Sequence, residues 1–245
     1  MNHQSSPRLR RQLCLVRNDA EKLQVLATCE LFSELRSDEL QEISEHIPLV
    51  MVPTGYLFSQ PGDIQTRIFI LHSGRVQIYY LSAEGRKFIL TTVEPISWFG
   101  EAALTQRPAQ AFTIALEPSM VSVLHYPDFE RLLARRGIAI ALGRSLAQRL
   151  LTMEERFAEA MFKTVPARLA GLLLQLARSD TPYRSVVQGF SHQHLANLLG
   201  VHRETVTQAL STLRNKGVIE MGRKQILIVN PSALRQLAQE DQIAI

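Results

Sequence analysis

The chain is poor in cysteine, has a single tryptophan, and has no long apolar run in its 245 residues. Two cysteines, Cys14 and Cys29, cannot build a disulfide framework. Nor can they supply the four thiolates of an iron–sulfur cluster. They read instead as one mobile thiol and one thiol on a helix face. No apolar stretch approaches the roughly 20 residues of a membrane span. The basic start MNHQSSPRLRRQ is not followed by an apolar segment of signal-peptide length, so a cytoplasmic chain is expected. The only His-x-His pair is His192 and His194, and two residues apart on a helix they do not face each other. No metal set and no activated nucleophile are expected, and so no catalysis.

What is present is unevenly placed. The chain carries 27 Lys and Arg against 23 Asp and Glu. Residues 165–245 hold nine of those bases and five of the acids, which is the whole surplus of +4. A basic C-terminal third points to a polyanionic partner for that part.

The hydrophobic period changes twice along the chain. Residues 20–47 read as helical, with Ser37-Asp38-Glu39-Leu40 as a helix start. From about 48 to 126, short β-runs follow one another between turn signals such as Pro61-Gly62-Asp63, Ser73-Gly74 and Glu84-Gly85. Val76, Ile78 and Tyr80 alternate with Arg75, Gln77 and Tyr79, as in a strand with one buried face. Many short strands at this spacing imply a sandwich or roll. After Pro127 the pattern is helical. Leu146, Met153 and Ala160 recur every seven residues, with Leu150 and Phe157 offset by four, which is the seam of a coiled coil. That seam serves a homodimer, or it docks on its own roll. Val165-Pro166 ends the run and marks a hinge or a new helix start.

The most informative segment is FSHQHLANLLGVHRETVTQALSTLRNKGVIEMGRKQILIVNP. Ser191 caps a short helix ending at Leu199, Gly200 permits a left-handed turn, and His202 to Lys216 forms a second helix buried through Val206, Leu210 and Leu213. This is a helix-turn-helix. Two β-runs joined at Gly222-Arg223-Lys224 read as a wing with a basic tip. On the second helix Arg203, Glu204, Thr207, Gln208 and Ser211 share the face opposite the core. Arginine there grips guanine with two donors, and glutamate accepts from a cytosine amino group. A helix that only sought phosphates would hardly place a carboxylate at the polyanion, so Glu204 favours base reading over an ordinary charged surface helix.

Roll, long helix and winged helix-turn-helix together resemble the cyclic-AMP receptor protein/FNR family of bacterial transcription regulators. The resemblance covers residues 20–230, and its strongest motif is Gly200-Val201-His202-Arg203-Glu204-Thr205-Val206. It implies an α+β protein: a cyclic-nucleotide-binding-type β-roll, a long dimerisation helix and a C-terminal winged helix-turn-helix. The expected divisions are a disordered basic arm at 1–19, the roll with flanking helices at 20–136, the dimerisation helix at 137–164 and the DNA-binding domain at 165–245. Arg203, Glu204 and Gln208 are then the base readers. Ser191, His202, Thr205, Thr207, Ser211, Arg223 and Lys224 face the DNA backbone. Leu146, Leu150, Met153, Phe157 and Ala160 form the dimer seam. Double-stranded DNA and RNA polymerase are the implied partners.

In the roll the resemblance rests on Gln60-Pro61-Gly62-Asp63, on Leu71-x-Ser73-Gly74 and on Phe99-Gly100-Glu101. The family's cyclic-AMP binders follow the Gly-Glu pair with an arginine that clamps the cyclic phosphate, and Ala109-Gln110 stands there instead. A buried phosphate without a partner is costly by several kcal/mol. Met153-Glu154 stands where those binders place Thr-Ser. Cyclic AMP is therefore not the expected effector. Gly100, Glu101, Arg107, Gln110 and Met153 outline a pocket for another effector, an organic acid or an apolar molecule, with Arg75 nearby. No cofactor is expected. His72 and His125 are the only haem-ligand candidates in the roll, and both suit turn or strand-end roles better. Control by abundance without any ligand, or a cyclic nucleotide held by Arg107, are the alternatives.

Overall fold

A computed structural model describes residues 14–15, 19–181 and 184–239. It divides into two compact units: residues up to Leu81 with Leu90–Arg149, and Ser82–Ile89 with Leu150 onward.

The N-terminal unit opens with β1 (Cys14–Leu15), α1 (Asp19–Thr28), a 3-10 turn at Glu30–Phe32 and α2 (Ser37–His46). The cap of α2 is Arg36, one residue before the expected start. Its N–H donates to the Glu39 carboxylate at 3.1 Å. Next come β2 (Leu49–Val52), β3 (Leu57–Ser59), β4 (Arg67–Ser73), β5 (Val76–Leu81), β6 (Lys87–Val93), β7 (Trp98–Phe99), α3 (Ala102–Thr105), β8 (Phe112–Ala115) and β9 (Ser119–His125). They pair antiparallel in two sheets, β1-β2-β9-β4-β7 and β3-β8-β5-β6. Inward residues of both sheets, among them Val52, Phe58, Leu71, Val76, Phe99 and Val121, make one apolar core.

Cys14 and Leu15, placed in a disordered arm, pair with Met51 and Val50 and so cover the outer edge of β2, whose backbone groups would otherwise lack partners. The rest of that arm, with Arg8, Arg10, Arg11 and Arg17, lies outside the described residues. The clean alternation expected along β5 is also absent. Val76, Gln77 and Ile78 are all buried, and Tyr80 is exposed. The partner strand β8 ends opposite Tyr79, so the last residues of β5 have no β8 neighbour.

After β9, α4 (Tyr126–Leu133) leads to α5 (Arg136–Phe162), a helix of 27 residues. Ile138, Ala141, Leu142 and Ser145 bury its first turns, Ile138 and Leu142 against the helices and Trp98 of the N-terminal unit. The helix ends before Pro166. Thr164 caps α6 (Val165–Leu176), its hydroxyl accepting from the Ala167 N–H at 3.4 Å, and proline occupies the first turn where a missing N–H costs nothing. The expected new helix start is found.

The C-terminal unit continues with β10 (Arg178–Thr181), β11 (Arg184–Gln188), α7 (His192–Leu199), α8 (Arg203–Asn215), β12 (Ile219–Gly222), β13 (Gln225–Ile228) and α9 (Pro231–Gln239). Its sheet runs β10-β11-β13-β12, so the expected two-stranded wing is half of a four-stranded sheet. α6, α7 and α8 pack around Leu169, Leu173, Leu195, Val206, Leu210 and Leu213.

Candidate nucleic-acid interface and sensor loop

The helix-turn-helix is built by local rules. The Ser191 hydroxyl accepts from the His194 N–H at 3.1 Å and starts α7. Gly200 ends it in the left-handed region at φ 69°, a conformation most residues avoid, and the Val201 N–H returns to the Ala196 carbonyl at 3.1 Å. Arg168 of α6 donates to the Leu199 carbonyl at 2.6 Å, tying the end of α7 to the helix below it. On α8, Val206, Ala209, Leu210 and Leu213 are buried, which fixes the rotation of the helix. The opposite face then presents Arg203, Glu204 and Gln208, all exposed. The three residues expected to read bases share a surface.

The expected backbone contacts divide. His202 is exposed beside Arg203, and Thr205 and Ser211 are half-buried at the margins of α8. Thr207 has an internal role: its hydroxyl donates to the Arg203 carbonyl and sits 3.0 Å from His192 Nδ1, linking α8 to α7. Ser191 is likewise occupied by its capping bond. Arg223 and Lys224 form the two-residue turn between β12 and β13, both exposed. Lys224 holds φ 58°, a left-handed conformation that is strained for a lysine.

The loop of the roll is a different case. Gly100 is required by packing, because at φ 100° a Cβ would lie 2.8 Å from the Arg67 carbonyl oxygen. One oxygen of Glu101 accepts the Gly100 N–H at 2.9 Å, and the other accepts Arg149 Nη1 at 2.8 Å. Arg149 is the residue that sequence reasoning missed. It also donates to the Trp98 carbonyl at 2.6 Å, stacks 4.0 Å over the Trp98 ring, and pairs with Glu30 at 3.7 Å. The buried Trp98 N–H donates to Ser145, whose hydroxyl donates to Glu30 at 2.6 Å. Among the sequence signals, only the lone tryptophan next to Phe99-Gly100-Glu101 hinted at this cluster.

Ala109 is buried, with its N–H on the Asp63 carbonyl at 2.8 Å and its carbonyl on the Gly62 N–H at 2.9 Å. Arg107 and Gln110 are exposed, and Met153 is half-buried on α5. Gly100, Glu101, Arg107 and Gln110 thus belong to one loop, but the acid is already engaged inside the protein. His72 is buried on β4, with Nε2 2.8 Å from the Ser122 hydroxyl. Burial, and then the nearby Lys22 charge, lower its pKa to about 4. Cys29 is buried, and burial pushes its thiol up to about 11, while Cys14 is exposed. Along α5, Leu150 is 60% exposed and Phe157 68%, and Leu146 and Ala160 also face outward.

Comparison with known proteins agrees with both halves. A cyclic nucleotide-binding domain model matches residues 49–136, and a Crp-like helix-turn-helix domain model matches residues 167–237. A CRP-like cAMP-activated global transcriptional regulator of Mycobacterium tuberculosis is 29% identical over 223 residues, covering 88% of this chain and 99% of the relative. The transcriptional regulator SdrP of Thermus thermophilus is 30% identical over 187 residues, 73% of this chain and 87% of its own length. The crystal structure of a CRP/FNR-family transcriptional regulator from Thermus thermophilus superposes with a TM-score of 0.60 at 28% identity, over 78% of this chain and 98% of the other. These relatives are transcription regulators and not enzymes. On its sequence, its two domains and its fold, the chain belongs to the CRP/FNR family of transcription regulators.

Proposed function

We propose that the protein is a sequence-specific regulator that binds a palindromic DNA site as a homodimer and is gated by an effector other than cyclic AMP. The observation that carries the DNA reading is the exposed row Arg203, Glu204 and Gln208, held in rotation by the buried row of α8. Arg203 takes a guanine, Glu204 a cytosine amino group, and Gln208 offers one donor and one acceptor to a third base. His202, Thr205, Arg223 and Lys224 supply backbone contacts, which position the helix without specifying sequence. The outward apolar seam of α5 supports the dimer, since exposed leucine and phenylalanine at heptad spacing gain most by meeting their own copies. Two recognition helices then enter successive major grooves about 34 Å apart. RNA polymerase is the expected protein partner, and the cytoplasm the expected place of work.

The case against cyclic AMP rests on Glu101 and Ala109. Each oxygen of Glu101 already accepts one bond, from Gly100 and from Arg149, and Ala109 has no charge to offer a phosphate. The internal bonds of Arg149 to Glu101, Trp98 and Glu30 favour a second reading in which abundance alone sets activity.

The test is an operator titration of Arg203→Ala. The variant should lose roughly 1–3 kcal/mol per half-site of preference for its best duplex over a scrambled one. An unchanged ratio contradicts base reading.

A further inference from the structure

The roll also holds a half-open cavity of about 150 Å³. None of Gly100, Glu101, Arg107, Gln110 or Met153 lines it. Its walls are Val50, Val52, Phe58, Phe69, Val121 and Val123, the inward side chains of β2, β3, β4 and β9. At its rim stand Arg67 and His125, direct register partners across β4 and β9. Each is two residues from an inward neighbour, Phe69 or Val123, so the pleat turns both toward the cavity. Tyr56 adds its phenol to the same rim. Among the described residues, the side chains of Arg67 and His125 have no hydrogen-bond or ion-pair partner.

Size and chemistry together define the occupant. An apolar cavity of this volume accommodates a guest about the size of benzene. A nucleotide needs a pocket of several hundred Å³. A small inorganic anion would satisfy Arg67 but leave the valine and phenylalanine walls without contacts. A neutral hydrocarbon would do the reverse and leave the guanidinium unpaired. We propose that the cavity binds a small apolar monocarboxylate, its ring or branched chain among the valines and phenylalanines and its carboxylate on Arg67, with His125 and Tyr56 as further donors. Use of this site to gate DNA binding rests on the sensor reading above, while the binding itself does not.

Calorimetric titration of the full-length protein with benzoate, benzamide and sulfate tests the site. Benzoate should bind once per chain, at least about tenfold more tightly than benzamide, because a charged acceptor strengthens the bond to arginine. Sulfate should bind far more weakly than either. Arg67→Gln should remove that tenfold advantage while leaving benzamide affinity and DNA-site selection intact, and His125→Asn should have a smaller effect in the same direction. No benzoate binding at millimolar concentration overturns the proposal, as does equal affinity for benzamide or indifference to Arg67→Gln. If benzoate fails while a DNA site is still selected, the cavity assignment falls and the regulator reading stands. If benzoate binds and no DNA site is selected, the opposite holds.

Discussion

The two halves of the molecule keep their motifs on different terms. In the helix-turn-helix, Arg203, Glu204 and Gln208 are exposed, and the residues that hold them in place are separate, buried ones. In the roll, Gly100 and Glu101 are present, but Gly100 answers to the Arg67 carbonyl and Glu101 to Arg149. A motif residue works as a site only when its polar atoms are left over after the fold has used what it needs. The C-terminal motif leaves its polar side chains exposed, while the N-terminal one ties the loop to α5 through Arg149.

The largest effect expected from probing this contrast lies in the scaffold of the reading face. Leu210→Ala removes a side chain that is 2% exposed and should cost roughly 2–5 kcal/mol, measured by denaturant unfolding followed through helix content. A cost below about 1 kcal/mol would mean that α8 is not held by this core.

The next effect concerns the roll. His72 titrates at about 4 in the folded chain against 6.5 in the unfolded one, so the unfolded state binds the proton first. Stability is therefore fully present above pH 6.5 and is lost as pH falls toward 4, by up to roughly 3 kcal/mol. His72→Gln should flatten that part of the stability–pH curve. An unchanged slope would place the acid sensitivity elsewhere.

The smallest effect is at the wing. Lys224→Gly relieves a left-handed backbone worth roughly 1 kcal/mol. It should also lower the salt slope of DNA binding by about 1.8, through one lost phosphate contact in each protomer of the dimer. Greater stability with an unchanged salt slope would remove Lys224 from the interface.

How far each half was legible follows from the range of its interactions. Ser191, Gly200 and the buried period of Val206, Leu210 and Leu213 act within a few residues of one another, so the sequence displays both the turn and the helix face. The strand β7 consists of two residues, Trp98 and Phe99, and exists because they meet Phe69 and Ile70 on β4. β10 and β11 likewise depend on pairing that no local pattern announces. Arg149 shows the same limit at a site. Helical spacing marks it as a polar-face residue, and nothing in that spacing indicates that it reaches Trp98 and Glu101, 48 residues or more earlier. The cavity at Arg67 and His125 was invisible for a similar reason, since only the β4–β9 register brings these two together.

Selection of binding sites from a random duplex pool, at one stated salt concentration and with and without cyclic AMP, tests the contrast between the halves most directly. One palindrome should be enriched, with half-sites about one helical turn apart and the same enrichment in both conditions. Failure to enrich any sequence would contradict the reading of α8, and enrichment that appears only with cyclic AMP would contradict the reading of the Glu101 loop.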